Sequence, residues 1–193
     1  MPYSRQFNFH IRPILKNPSH ITIVQIRQSF LKGQQLFNCV LDHWKNNNVQ
    51  YKIYSLRFIG TRLDFISNRF PLIDINKTFS NVPILLLFHH IKPFENVFCF
   101  ERVARALARL RTLEIINQLE EQEKMRVIKG NIDFSHLALL ILYDIHMDYA
   151  QQFLCQIGLP SLIELGINKY ILLTIIGQNQ EQARDNCSRV GII

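Results

Sequence analysis

The chain has 193 residues, of which 48% are hydrophobic and 19% charged, a balance that supplies a core and excludes a disordered polyelectrolyte. Its longest apolar runs, Val82 to Phe88 and Leu137 to Tyr143, fall far short of the roughly 20 residues that a membrane-spanning helix needs. Twenty-two Lys and Arg against 15 Asp and Glu leave a net charge of +7, which favours polyanionic partners, nucleic acid above all.

In chain order, Met1 to Phe7 carries no secretory apolar core, and prolines at positions 2, 13 and 18 argue against a targeting helix. The expectation is a protein made in the compartment where it works, with residues 1–18 as an N-terminal extension. His20 to Arg27 alternates apolar and polar residues in the period of a strand. Gly33 to Lys45 places Leu36, Phe37, Val40, Leu41 and Trp44 on one helical face. Asn46, Asn47 and Asn48 then favour a turn. Gln50 to Ile59 returns to alternation, Gly60 breaks it, and Thr61 to Arg69 is a basic excursion before the extended segment Phe70 to Ile75.

Val82 to Phe88 has the length of a buried strand, and from Phe94 to Lys124 the period is helical. There Arg102, Arg105 and Arg109 form a stripe beside the apolar one made by Val103, Ala106, Leu107 and Leu110. Ile132 to Tyr143 reads as a strand and Asp148 to Gln156 as a short helix. Gly158, Pro160 and Gly166 punctuate a loop before a buried strand over Lys169 to Ile176. Asn179 to Gln182 opens a last helix with a capping-box pattern. Residues 116–129 and 157–168 are expected to be irregular insertions, and no internal repeat is evident. The expected fold is a single α+β domain over 1–193, an antiparallel sheet covered by helices.

Catalytic signatures are missing: the chain has no GxSxG elbow, phosphate loop, GxGxxG or HExxH. Asp144, His146 and Asp148 are a possible carboxylate/His group, for which a solvated strand-to-helix turn with Asp148 as cap is the stronger reading. Cys39, Cys99, Cys155 and Cys187 lie too far apart for a zinc site, which points to reduced thiols in a reducing compartment. No enzyme activity, metal, cofactor, membrane contact or small-molecule substrate is therefore expected. Lys52, Arg57, Arg62 and Arg69 interleave with Tyr51, Tyr54, Phe58 and Phe65, a mixture suited to RNA phosphates and bases. Arg27, Lys32, Lys77 and the Arg102, Arg105, Arg109 stripe join them as candidate RNA contacts.

Read in order, the segments resemble the family of the universal large-subunit ribosomal protein five, the 5S ribosomal RNA-binding protein of the central protuberance. His20 to Arg27, the basic stretch Lys52 to Arg69 with Phe70-Pro71-Leu72-Ile73, and Phe98 to Leu113 follow the family's order. Gly130-Asn131 leading to Tyr143-Asp144-Ile145-His146-Met147-Asp148 is similar to the family's Gly-Asn start and Phe-Pro-Glu-Ile-Asp-Tyr-Asp finish. Ile171 to Ile176 with Glu181, Ala183 and Arg184 looks like its terminal strand and helix. Ile73 stands where the family has glycine and Tyr143 where it has proline, departures that fit a divergent organellar copy; the Ile-, Phe- and Asn-rich composition is what an AT-rich genome gives, organellar or nuclear. The resemblance implies an antiparallel sheet docked on large-subunit ribosomal RNA, 5S RNA where present, with neighbouring ribosomal proteins. It also implies a loop near Gly60 to Phe65 that approaches the P-site transfer RNA through Arg57, Arg62 and Arg69, and a mitochondrial matrix location. A basic accessory or protein-interaction module, viral or bacterial, is the alternative, and an enzyme built on Asp144, His146 and Asp148 comes third.

Overall fold

A computed structural model of the chain describes residues 10–11, 14–16, 24–25, 28, 37–43, 48–55, 60–64, 79–88, 98–117, 132–178 and 181–193. The first strands form an antiparallel sheet: β1 (His10–Ile11), β2 (Ile14–Lys16), β3 (Phe37–His43) and β4 (Asn48–Ser55). β4 is its hub, pairing with all three others, and β3 lies along it from Phe37 opposite Ser55 to His43 opposite Val49. The helix expected over Gly33 to Lys45 is thus a strand between Phe37 and His43. Its i, i+3, i+4 apolar spacing is overridden by cross-strand pairing, a tertiary choice that local periodicity does not report. The strand expected over His20 to Arg27 is also revised, since Val24 and Gln25 are helical. Phe70 to Ile75 lies outside the described residues.

The second half is built differently. β5 (Arg62–Asp64), β6 (Ile84–Phe88), β7 (Thr112–Asn117), β9 (Leu139–Ile145), β11 (Glu164–Ile167) and β12 (Gly191–Ile192) form one sheet in that spatial order. Every pairing in it is parallel. The mixture of helix and strand expected from the sequence is present, whereas the antiparallel main sheet is not. Parallel neighbours need a connection that carries the chain back to the same end of the sheet. Helices fill three of those connections: α1 (Phe98–Ala106) before β7, α2 (Met147–Gln156) before β11, and α3 (Lys169–Gly177) with α4 (Glu181–Cys187) before β12. Behind the sheet, β8 (Ile132–Asp133) and β10 (Ile157–Gly158) make a second, two-stranded parallel pair.

A repeated turn sets the register. Val82 donates its N–H to the Phe79 carbonyl, and the same bond recurs from Leu110 to Leu107, Leu137 to Phe134, Leu162 to Leu159 and Val190 to Cys187. Each of the first four turns leads into a strand with the same inward residues: Leu85 and Leu87, Leu113 and Ile115, Leu140 and Leu142, Leu165 and Ile167. All eight are at most 4% exposed. Cross-strand register stacks Leu63, Leu85, Leu113, Leu140 and Leu165 into one ladder. The sequence therefore does contain a repeat, apolar-x-x-apolar-x-x-Leu-x-(Leu/Ile). Leu85, Leu113, Leu140 and Leu165 follow one another at intervals of 28, 27 and 25 residues (113−85, 140−113, 165−140). Unequal intervals and unlike intervening segments hide it from a search for sequence self-similarity.

The core lies between this inner face and the helices. Phe153 of α2 packs edge-on against Phe100 of α1, with ring centroids 4.5 Å apart, and meets Phe134 at 6.1 Å. The helix expected from Phe94 to Lys124 stops at Ala106 because the apolar spacing changes after Leu110. Thr112, Glu114 and Ile116 then alternate with buried Leu113, Ile115 and Asn117, the period of a strand. Lys169 to Ile176, expected as a strand, is helical. Asn168 caps it by accepting from the Tyr170 N–H at 2.9 Å, and only Leu172 and Ile175, three apart, are buried. Residues 157–168, expected to be irregular, contain the sheet strand β11.

Asn186 joins two layers of the stack. Buried on α4, its Nδ2 donates to the Leu154 carbonyl at 3.0 Å and the Ile157 carbonyl at 2.9 Å. Its Oδ1 accepts from the Leu159 N–H at 3.2 Å, so one amide satisfies the end of α2 and the start of the next repeated turn.

Candidate interaction face

Side chains alternate across a strand, so the residues between the buried leucines project from the other side of the parallel sheet. Register aligns them in rows. Arg62, Ile84, Thr112, Leu139, Glu164 and Gly191 run across all six strands, and Asp64, Leu86, Glu114, Ile141 and Gly166 form the next row. The strand interiors of β7 and β9 alternate buried and partly exposed residues, which marks a sheet packed on one face and open on the other. Among the described residues, the helices pack against the side that carries the buried leucines. The open side is apolar at its centre, with Ile84, Leu86, Ile116, Leu139 and Ile141 partly exposed.

Tyr143 and Gly166 make the most specific feature there. A Cβ at Gly166 would lie 3.1 Å from Tyr143 Cε2 and 3.5 Å from Ile141 Cγ2. The absent side chain lets the Tyr143 ring lie across the neighbouring strand, where it remains 54% exposed. Gly166 therefore marks a close approach inside a strand, and not the loop its presence suggests.

Charge on this sheet opposes that of the whole chain. The six strands carry Asp64, Glu114, Asp144 and Glu164 against Arg62, a net of −3. The remainder then carries 21 basic and 11 acidic residues, or +10, which with −3 gives the total of +7. At the carboxyl end of β9, Asp144 is exposed, and a shift in the β7–β9 register sets Ile116 opposite Asp144.

The candidate RNA contacts that fall among the described residues sit on several elements. Arg62 is exposed on β5, so residues 62–64 of the expected tRNA-facing loop are a sheet strand. Lys52 is on β4 opposite Val40. The expected helical stripe is broken: Arg102 and Arg105 belong to α1, whereas Arg109 is in the turn that follows it. Arg105 is exposed and paired with Glu101 one turn back, and Arg109 Nη1 donates to Asn81 Oδ1 at 3.0 Å. Arg27, Lys32, Arg57, Arg69 and Lys77 lie outside the described residues.

The group at Asp144, His146 and Asp148 is a helix start. His146, and not Asp148, is the N-cap of α2, its Nδ1 lying 3.4 Å from the Asp148 N–H and 3.1 Å from Asp148 Oδ2. Asp148 occupies the first turn, where a carboxylate complements the helix dipole. Among the described residues no group of three His, Cys, Asp or Glu is arranged to hold a metal ion. Cys155 and Cys187 are free thiols, and burial pushes both up from the ordinary thiol range; Cys187 adds a repulsion that raises Cys155 further. No helix among the described residues is long and apolar enough to cross a membrane.

What sequence reasoning missed is the open face itself: Ile84, Leu86, Glu114, Leu139, Ile141, Tyr143 and Glu164. The signal that would have found it is the recurring Leu-x-(Leu/Ile), whose intervening residues must face away from the core. No protein-family model, curated protein or solved structure matches this chain.

Proposed function

We propose that residues 60–193 act as a protein-recognition scaffold of the leucine-rich-repeat kind, binding a partner protein on the open face of the parallel sheet. The observation that carries this is the six-stranded sheet with a leucine ladder buried on one side and an apolar, partly exposed row on the other. Repeats of 20 to 29 residues, each contributing a short strand and a helix, build extended surfaces of this type, and their stacked strands leave one face for a ligand. An exposed apolar surface on a water-facing sheet costs solubility unless something uses it. The mechanism is recognition by shape and desolvation, with no bond made or broken. This is the protein-interaction alternative among the functions considered from the sequence.

The experiment places a photoactivatable phenylalanine analogue at Leu139 or Ile141 and, for comparison, at the exposed Arg184 of α4. Adducts to a protein from the sheet positions and none from Arg184 support the reading. Adducts to RNA from the sheet, or none from either place, would count against it.

A second reading, an RNA-binding component of the large ribosomal subunit in mitochondria, has the net charge of +7 and the exposed Arg105, Arg109 and Arg111 in its favour. It ranks lower because the open sheet face is acidic, and carboxylates there repel phosphate. The antiparallel sheet that the family resemblance implies is also not the main sheet of this chain. Salt-sensitive binding to ribosomal RNA that required Arg109 and Arg111 would restore it to first place.

A further inference from the structure

We infer that the segment recognised by the open face is a cationic amphipathic helix whose Lys or Arg side chains meet the carboxylates of Glu114, Asp144 and Glu164 around the exposed ring of Tyr143. This rests on the reading of the sheet as a protein-binding face and adds the chemistry of what binds there. Three observations converge. The charges on the six strands sum to −3 within a chain of +7, so the open sheet is an acidic island in a basic protein. Its carboxylates bracket the apolar centre: Glu114 is opposite Ile141 on one side, and Glu164 is opposite Leu139 on the other. Tyr143, 54% exposed and lying across Gly166, offers an aromatic face of the kind that attracts a cation.

Charge complementarity decides between the classes of partner. An acidic peptide or a nucleic acid would set its own negative charges against Glu114, Asp144 and Glu164. A cationic amphipathic segment would pair with them while its apolar side covers Ile141 and Leu139. Arg62, on the outermost strand β5, is separated by β6 from Glu114 on β7, and by β6 and β7 from Asp144 on β9. Repulsion from basic residues that lie beyond a Debye length of about 8 Å is screened by physiological salt. Contacts at the sheet therefore outweigh the net charge.

The test is calorimetric titration of the full chain with two 18-residue helical peptides of one pattern, Leu with Lys and Leu with Glu. The Leu/Lys peptide is expected to bind despite the protein's net positive charge, and the Leu/Glu peptide at least tenfold more weakly. The triple variant E114Q/D144N/E164Q, checked for folding by circular dichroism, should weaken the Leu/Lys peptide about tenfold, from three exposed ion pairs of ordinary strength. Tyr143→Ser should weaken it about fivefold. Equal binding of both peptides, no binding of the Leu/Lys peptide, or an unchanged affinity in the triple variant would overturn the inference. If photo-adducts from Leu139 and Ile141 are still made to a protein in that case, the recognition face stands and only its charge preference falls. If those adducts are absent too, both fall.

Discussion

Replacing Asn186 by alanine should cost this protein about 3 to 6 kcal/mol. The amide is 6% exposed and bridges three backbone groups: the carbonyls of Leu154 and Ile157 and the N–H of Leu159. Alanine leaves all three without that partner in a buried place, at roughly 1 to 3 kcal/mol each. The lower half of that range applies, because relaxation of α4 or entry of a water recovers part of each loss. Asn186→Asp keeps the shape and reverses the chemistry, since a carboxylate oxygen then faces the two carbonyl oxygens. That contact raises the new carboxyl's pKa in the fold, so the variant's stability is greatest at low pH and falls as pH rises through the folded pKa. Gln182→Ala is the control, losing one partly buried bond of 3.3 Å to Asn186, worth below about 1 kcal/mol. Urea unfolding followed by far-ultraviolet circular dichroism measures all three. A loss under about 1 kcal/mol for Asn186→Ala, with Asn186→Asp no worse at neutral than at acid pH, would mean that this amide does not lock successive layers together.

Leu140 and Ile141 are neighbours facing opposite sides of β9. Leu140→Ala should therefore cost about 2 to 5 kcal/mol by opening a cavity in the ladder. Ile141→Asp should cost well under that while abolishing photo-adducts to a protein from position 139; equal unfolding costs would deny that the sheet has two unlike faces. Gln152 is 1% exposed on α2, and neither of its amide atoms meets a hydrogen-bond partner among the described residues. Gln152→Met should accordingly raise stability by about 1 to 2 kcal/mol in the same urea assay, and a comparable loss would point to a partner for the amide. The folded-state pKa values of Cys155 and Cys187 are raised from the ordinary 9.0. Their contribution to stability is then fully present below pH 9 and lost as pH rises through the folded values. The variant with serine at both positions should lose less stability than wild type between about pH 8 and about pH 10; identical slopes would rule the thiols out.

Local signals carried part of this fold. β4, β6, β9, α2 and α4 fall where alternation, run length or capping chemistry place them. Each is an element whose identity is settled within its own residues. The errors share a cause, which is that the deciding contacts are distant in sequence. Phe37 to His43 has helical spacing but finds a partner strand in β4. The run from Ile171 to Ile176 has strand composition, yet Asn168 caps it as a helix that buries one side. Gly166 reads as punctuation until Tyr143 is seen lying over it.

The sheet's direction was the costliest miss. A parallel stack depends on repeats, and the repeat here survives only as a few leucines and a turn at intervals of 25 to 28 residues. The net charge of +7 favours Arg102, Arg105 and Arg109 as contacts, whereas the partly exposed face of the parallel sheet carries the carboxylates. Net charge is a property of the whole chain, and recognition depends on which residues share a face.

The claim that the open sheet binds protein is tested most directly by sizing the protein in native host lysate, with and without ribonuclease, as wild type and as Leu86→Asp/Ile141→Asp. A complex larger than the free chain is expected, one that survives ribonuclease and is lost in the double variant. A complex that ribonuclease dissolves and the double variant retains would contradict the claim and return RNA binding to the lead.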